Sequence, residues 1–263
     1  MNVTKDKRPG LKERLASGEV VLGSWITLGH PAVAEILASA GFDWLAVDME
    51  HSAITMHQAQ QLIQVIELSG TVPLVRISEN NECLIKRAMD AGAHGVIVPM
   101  VNSGEDAARA VRAVHYPPSG TRGVGLARAQ GYGFAFKEYR EWLAANSIVV
   151  AQIEHIDAVE NLEEILSTDG VDAFIVGPYD LSGSLGRPGE FDHPDVLSAL
   201  QKVRETATRM GSVAGFHVIP PDWTEVERKI AEGYRFIGFS LDTLFLGTTS
   251  REGLKKIRGD GQR

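Results

Sequence analysis

Short runs of apolar, often β-branched residues alternate with longer segments whose apolar positions recur every three or four residues. The runs predict strands over 20–26, 44–47, 72–76, 95–98, 148–153, 173–176, 212–217 and 236–240. The longer segments predict helices over 32–40, 57–68, 82–91, 105–114, 158–166, 196–210, 224–232 and 244–257. Pro31 suits a first helical turn, and Asn102, Ser103 and Asp157 suit helix caps. Gly41, Gly70, Gly92, Gly211 and Gly233 each follow a helix closely and suit its left-handed terminus. The repeat is strand, helix, glycine, strand. WLAV, GVIV and AFIV are apolar on both faces, as buried parallel strands are. Eight such units predict a single closed (β/α)8 TIM barrel rather than an open sheet. No composition break marks a second domain. The exception to the rhythm is 116–142, a long Gly- and Arg-containing connection between the fourth and fifth strands. The polar ends, 1–10 and 257–263, are expected to be flexible.

At 263 residues the chain suits one barrel, and 44% hydrophobic residues allow a sizeable core. The net charge of -8, with no basic run, argues against nucleic acid and anionic membranes as partners. One cysteine, Cys83, excludes an intrachain disulfide. The polar start carries no signal peptide, and no apolar run approaches the roughly 20 residues of a membrane span. A cytoplasmic enzyme is expected.

In such a barrel the active site lies at the C-terminal ends of the strands. The polar residues expected there are Asp48, Glu50 and His51 after the second strand and Arg76 after the third. Gln152 and Glu154 follow the fifth, and Gly177-Pro178-Tyr179-Asp180 the sixth. His217 and Asp242 end the last two; neither has an arguable partner, and both read as structural. The others have bland readings too: His51 as a loop histidine, Asp180 as a helix cap, Glu154 as an ion-pair partner of Arg76. Convergence of His51, Arg76 and two carboxylates from four strands favours catalysis. Two carboxylates without clustered Cys or His suit a hard cation, Mg²⁺ or Mn²⁺. A 2-oxo acid can complete its coordination, and the cation can then stabilise an enolate. Arg76 can add positive charge at the enolate oxygen, and His51 can move the proton. No lysine follows a strand end, which argues against a Schiff base. There is no GxxxxGK[ST] and no GxGxxG after a strand, so nucleotide chemistry is not expected.

These residues sit in motifs that together resemble the HpcH/HpaI aldolase family, particularly its 4-hydroxy-2-oxoheptanedioate and 2-dehydro-3-deoxyglucarate aldolases. The motifs are GFDWLAVDMEH, PLVRIS, GVIVPMV, YPPSGTRGVG, AQIE and GPYDLS, spread from about Gly23 to Thr243. The resemblance implies a class II pyruvate aldolase that cleaves a 4-hydroxy-2-oxo acid to pyruvate and an aldehyde, with Mg²⁺, Mn²⁺ or Co²⁺ as cofactor. The alternative is a decarboxylase or oxaloacetate-handling enzyme using the same chemistry; a non-catalytic sugar-acid binding protein would not need His51. The resemblance makes His51 the base, Arg76 the transition-state stabiliser, and Glu154 and Asp180 the metal ligands. Gln152, Tyr179 and Asp180 match pyruvate contacts, the last two partly through backbone amides. Asp90 matches a carboxylate that raises the basicity of the histidine. Asp90 ends a helix running away from the barrel mouth, so it can meet His51 only from a neighbouring subunit. That accords with the homo-oligomers, often hexamers built as trimers of dimers, that the resemblance implies; Asp48 is the intrachain alternative. Tyr179 stands where relatives often carry a small residue, and LARAQGYGFAF departs from the pattern, so the aldehyde is not specified.

Overall fold

The computed structural model describes residues 9–259. Eight parallel strands close into a barrel in sequence order: β1 (Val21–Ile26), β2 (Trp44–Asp48), β3 (Val72–Arg76), β4 (Gly95–Val98), β5 (Ile148–Ile153), β6 (Ala173–Val176), β7 (Ala214–Val218) and β8 (Phe236–Leu241). Around them lie α1 (Leu11–Ala16), α2 (Pro31–Ser39), α3 (Met56–Leu68), α4 (Glu82–Asp90), α5 (Gly104–Val114) and α6 (Phe136–Asn146). The circuit ends with α7 (Ile156–Glu160), α8 (Leu162–Leu166), α9 (Pro178–Ser184), α10 (Pro194–Met210), α11 (Trp223–Ala231) and α12 (Asp242–Arg258). The expected TIM barrel is therefore present.

Local chemistry sets the helix starts. Thr55 and Gln58 form a reciprocal capping box on α3, while Asn81 caps α4 and Ser103 caps α5. Gly41, Gly70, Gly92, Gly211 and Gly233 all have positive φ, and each turns the chain from a helix toward the next strand. The helix expected over 158–166 is instead two short ones, broken at Asn161, whose ψ is 14°. His155, not Asp157, caps the first of them. The connection 116–142 is not a plain loop: it holds a 3-10 turn over Arg128–Gly133, and its last seven residues, from Phe136, belong to α6. The C-terminal helix continues to Arg258, beyond the expected onset of fraying; the calls on 1–8 and 260–263 lie outside the described residues.

Alternation along the strands splits the core in two. Outward residues such as Leu45, Val47, Val75 and Val149 pack under the helices. Inward residues, including Trp25, Trp44, Leu74, Ile97, Val150, Ile175 and Phe236, fill the barrel, and Leu11 and Leu15 of α1 pack with them. Trp44 stacks on Phe236 with ring centroids 4.4 Å apart. A Cβ at position 23 would lie 1.9 Å from the Trp44 ring, so only glycine lets β1 pass it. The same alternation aims Asp48, Arg76, Gln152 and His217 inward at the top, above this apolar filling.

Candidate active site

Asp48 and Arg76 are register partners on adjacent strands. Arg76 donates from Nε to Asp48 Oδ1 at 3.0 Å and from Nη2 to Oδ2 at 2.7 Å, a two-pronged pair. Its guanidinium lies 4.4 Å from the Trp25 ring centroid, and Nε is 3.3 Å from Glu50 Oε2. The arginine is thus held on three sides, with Asp48 1% exposed beneath it. Burial pushes the Asp48 carboxyl up, but Arg76 and two backbone N–H groups outweigh it and leave it below the usual range. Those N–H groups belong to Glu50 and His51, which donate to Asp48 Oδ1 at 3.0 and 3.2 Å. This turn folds the chain after β2 and sets His51 at the rim, its Nε2 3.6 Å from Glu50 Oε2. The expected alternative pairing of Arg76 with Glu154 does not occur; Arg76 pairs with Asp48 and Glu50.

Glu154 lies across the opening and is 4% exposed. Its Oε1 accepts from the Met100 backbone N–H at 2.8 Å, and its Oε2 accepts from the Gln152 side-chain amide. Burial, with the charges of Glu50 and Asp180 added, pushes its pKa up to about 7. A Cβ at position 177 would sit 3.0 Å from Glu154 Oε2, so the glycine after β6 leaves that oxygen room. Glu50 is pushed up as well, first by burial and then by Asp48 and Asp180, while Arg76 opposes the shift. Its Oε2 is buried without a hydrogen-bond partner. Asp180 occupies the exposed first turn of α9, a helix start with no side-chain cap. Tyr179 beside it is half exposed and packs edge-on against Phe191, centroids 4.8 Å apart.

A cleft of about 210 Å³ gathers His51, Arg76, Gln152, Tyr179, Asp180 and His217. No lysine lines it. The buried Lys229 lies on α11 instead, bonded to Glu232 at 3.1 Å and 4.1 Å from the centroid of Phe216, an outward residue of β7. A larger hollow of about 500 Å³ includes Gly92 to His94, ahead of β4, at the end of the barrel away from the strand C-termini.

Two sequence readings change at this point. His217, read as structural, lines the cleft beside Trp25. Glu50, named only as a mouth residue, joins Arg76 to His51. Asp242 is structural: it accepts from the N–H and hydroxyl of Thr27 and from the Leu28 N–H, at 2.6–2.9 Å, and pins the loop after β1. Asp90 is not in the cleft. It ends α4 and accepts from Arg122 Nη2 at 2.6 Å; Arg122 is buried, donates to the Tyr139 hydroxyl at 3.0 Å and faces the Tyr116 ring. His51 and Asp90 therefore do not meet within one chain.

Among the described residues, no group of three or more His, Cys, Asp or Glu side chains is arranged to hold a metal ion. The oxygen donors that face each other electrostatically are Glu154, Asp180 and Glu50. Glu154, at a pKa of about 7, is what a buried carboxylate facing other carboxylates presents; Arg76 offsets the charge of Glu50 but is not paired with Glu154. An all-oxygen set of this kind fits a hard divalent cation whose remaining positions go to water and substrate.

The profile of the HpcH/HpaI aldolase/citrate lyase family matches residues 22–246. The chain is 36% identical to a hydroxypyruvate/pyruvate aldolase of Paraburkholderia phytofirmans, over 94% of this chain and 97% of the relative. It is 37% identical to a 2-keto-3-deoxy-L-rhamnonate aldolase of Escherichia coli K12, over 89% and 87%. The crystal structure of an HpcH/HpaI aldolase/citrate lyase family protein from Burkholderia cenocepacia superposes with a TM-score of 0.89 at 35% identity. It covers 95% of this chain and 99% of that one.

Proposed function

The chain belongs to the HpcH/HpaI aldolase/citrate lyase family and is a carbon–carbon lyase, and on that premise we propose that it is a divalent-cation-dependent pyruvate aldolase with its active site in the Arg76 cleft. The reaction is reversible cleavage of a 4-hydroxy-2-oxo acid to pyruvate and an aldehyde. One observation carries the reading: Arg76, locked by Asp48 and Trp25, shares a cleft that contains no lysine with Asp180 and with Gln152, the partner of Glu154.

Glu154 and Asp180 hold the cation, Mg²⁺, Mn²⁺ or Co²⁺. When bound, it supplies Lewis-acid polarisation of the 2-oxo acid. The remaining chemistry belongs to the side chains. Gln152 and the uncapped backbone N–H groups of Tyr179 and Asp180 orient the pyruvate carboxylate. Arg76 donates to the oxygen on which negative charge develops, and it needs no rearrangement because Asp48, Glu50 and Trp25 already fix it. His51, at the rim, takes the proton from the 4-hydroxyl during cleavage and returns it during synthesis. Glu50 orients both His51 and Arg76.

Asp90 supports His51 from a neighbouring copy, in a cytoplasmic homo-oligomer, a hexamer built as a trimer of dimers. What supports this is the pairing of Asp90 with Arg122, which ties it to the segment after α5 and away from its own chain's cleft. The segment after Arg122 exposes Val124, Leu126, Tyr132 and Phe134, a surface suited to a partner copy. The test is a panel of aldehydes supplied with pyruvate, with and without EDTA. New carbon–carbon bonds form only where free divalent cation is present; a chain that forms none with any aldehyde is not a pyruvate aldolase.

A further inference from the structure

A second hollow adjoins the cleft. α10 packs mainly against α7 and α8, and α11 against β7 and β8, which leaves a gap between α10 and α11. The gap is a hollow of about 310 Å³ over the outward face of β7. It is lined by Phe216 and Val218 of β7, Leu197 and Leu200 of α10, and Arg228 and Lys229 of α11. Pro178, Tyr179, His217 and Ile219 line both this hollow and the cleft. The Tyr179 side chain, on that boundary, belongs to a residue 52% exposed and leans edge-on against Phe191, which also lines the hollow. A boundary residue open to solvent over half its surface is a rim between two connected hollows, not a seal.

The charged residues that line the hollow already face opposite charges within the protein. Arg228 donates from Nε to Glu225 Oε2 at 3.1 Å, and its Nη1 lies 3.3 Å from Glu232 Oε1. Lys229 is bonded to Glu232, and Asp192 faces Arg228. The ionic end of a ligand would have to displace one of these pairs, whereas a neutral hydrocarbon displaces only water from Phe216, Val218, Leu197 and Leu200. Leu197, 50% exposed, and Phe191 extend the apolar surface to the lip, as the approach to a ligand groove does. Size points the same way. The cleft, at about 210 Å³, is smaller than ordinary ligand pockets of about 300–1,000 Å³, and a 2-oxo acid with its cation occupies much of it. The adjoining hollow is where the rest of a larger substrate has room.

We propose that the hollow between α10 and α11 receives the hydrocarbon tail of the aldehyde, and that the enzyme therefore takes straight-chain alkyl aldehydes in preference to short ones. The inference rests on the aldolase reading. The reacting carbonyl stays in the cleft, and the tail passes Tyr179 and Ile219 to lie along Val218, Phe216 and Leu197. Each methylene that enters leaves water for an apolar wall, and the gain counts toward kcat/KM because the tail stays buried in the transition state.

The test measures kcat/KM with pyruvate as donor and propanal, butanal, pentanal and hexanal as acceptors, whose carbonyls are alike in reactivity. In the wild-type protein kcat/KM rises about threefold or more with each added methylene. Leu197→Asp lowers the value for hexanal by about tenfold and leaves that for propanal unchanged; Leu197→Met keeps the wild-type slope. The position is half exposed in the first turns of α10, where an added carboxylate suits the helix dipole, so the fold tolerates both changes. A flat or falling series in the wild-type protein, or a slope untouched by Leu197→Asp, overturns the proposal. So does a Leu197→Asp protein that sediments as a smaller species than wild type, because the lip is then a contact between copies. A second readout does not depend on turnover: carbon-13 NMR of labelled leucine methyl groups, with Leu197 assigned by loss of its signal in Leu197→Met. 1-Hexanol shifts that signal and ethanol does not. A Leu197 signal unmoved by 1-hexanol overturns the binding point even if the aldolase reading stands. Failure to form product with any aldehyde, with the signal still shifted by 1-hexanol, overturns the aldolase reading alone.

Discussion

Replacing Glu154 with glutamine removes a negative charge that the fold holds at a cost, and the consequence is a change in proton traffic. The Glu154 carboxyl ordinarily titrates at 4.5 and is pushed up to about 7 by burial and by Glu50 and Asp180. In the native protein it therefore holds a proton that the unfolded chain has already released between those values. The stability of the cation-free protein must then fall as pH rises through that window and level off above it, by about 3 kcal/mol in all. A cation binds the ionised form, so binding at lower pH expels the proton. With a pKa of about 7, uptake of one cation releases ~0.9 proton at pH 6 and ~0.1 at pH 8, and affinity weakens about tenfold between pH 8 and pH 6. Titration calorimetry in two buffers of different ionisation enthalpy measures the release directly. Glu154→Gln abolishes most of it, weakens cation binding, and makes the cation-free protein more resistant to denaturant at pH 8. A release below about one third of a proton at pH 6, or one unchanged by Glu154→Gln, refutes the assignment of Glu154 as a ligand.

Arg76→Ala is expected to cut carbon–carbon cleavage on the order of 100–1000-fold with calorimetric cation affinity nearly intact. It also leaves Asp48 buried and unpaired, so denaturant unfolding should show a loss of about 3 kcal/mol or more; a rate within a few-fold of wild type would make Arg76 structural. Subunits of inactive His51→Ala and inactive Asp90→Asn protein, allowed to exchange, should regain activity, because some mixed interfaces pair an intact His51 with an intact Asp90. If exchange is verified and no activity returns, Asp90 does not support His51 and Asp48 takes its place.

The barrel was legible because five of the eight strand runs follow a helix-ending glycine, Gly41, Gly70, Gly92, Gly211 or Gly233, and strand period and glycine position agree there. The misplaced start of β7 has a local cause. After Gly211 the chain is still approaching the sheet: Val213 accepts one hydrogen bond from the Phe174 N–H at 3.1 Å, and the strand register with β6 begins only at Ala214. The helices α1, α7 and α9 are too short to show a period, and α6 was hidden in a connection dominated by glycine and arginine. In the site, the pairing of Arg76 with Asp48 was readable in principle, since both end their strands at the same inward register. The sequence offered Glu154 as the ion-pair partner of Arg76 instead, as the bland reading of that carboxylate. His217 was read as structural because its neighbour, the Trp25 ring, comes from β1 and meets it only once the barrel closes. The sequence already put it at the mouth; counting inward positions on β7 would have turned its side chain into the cleft as well. Glu50 differs: its importance comes from burial and from charges on three other elements, which no local pattern encodes.

The most direct test of a cation-dependent pyruvate enolate in this cleft needs no aldehyde. Pyruvate is incubated with the protein in deuterium oxide, and its methyl protons are followed by NMR. The account predicts that the methyl signal decays by exchange. It predicts that EDTA stops the decay, that Mg²⁺ or Mn²⁺ restores it, and that borohydride traps no pyruvate on the chain. Exchange that continues at full rate in the chelated protein, with pyruvate fixed to a lysine by borohydride, would contradict it.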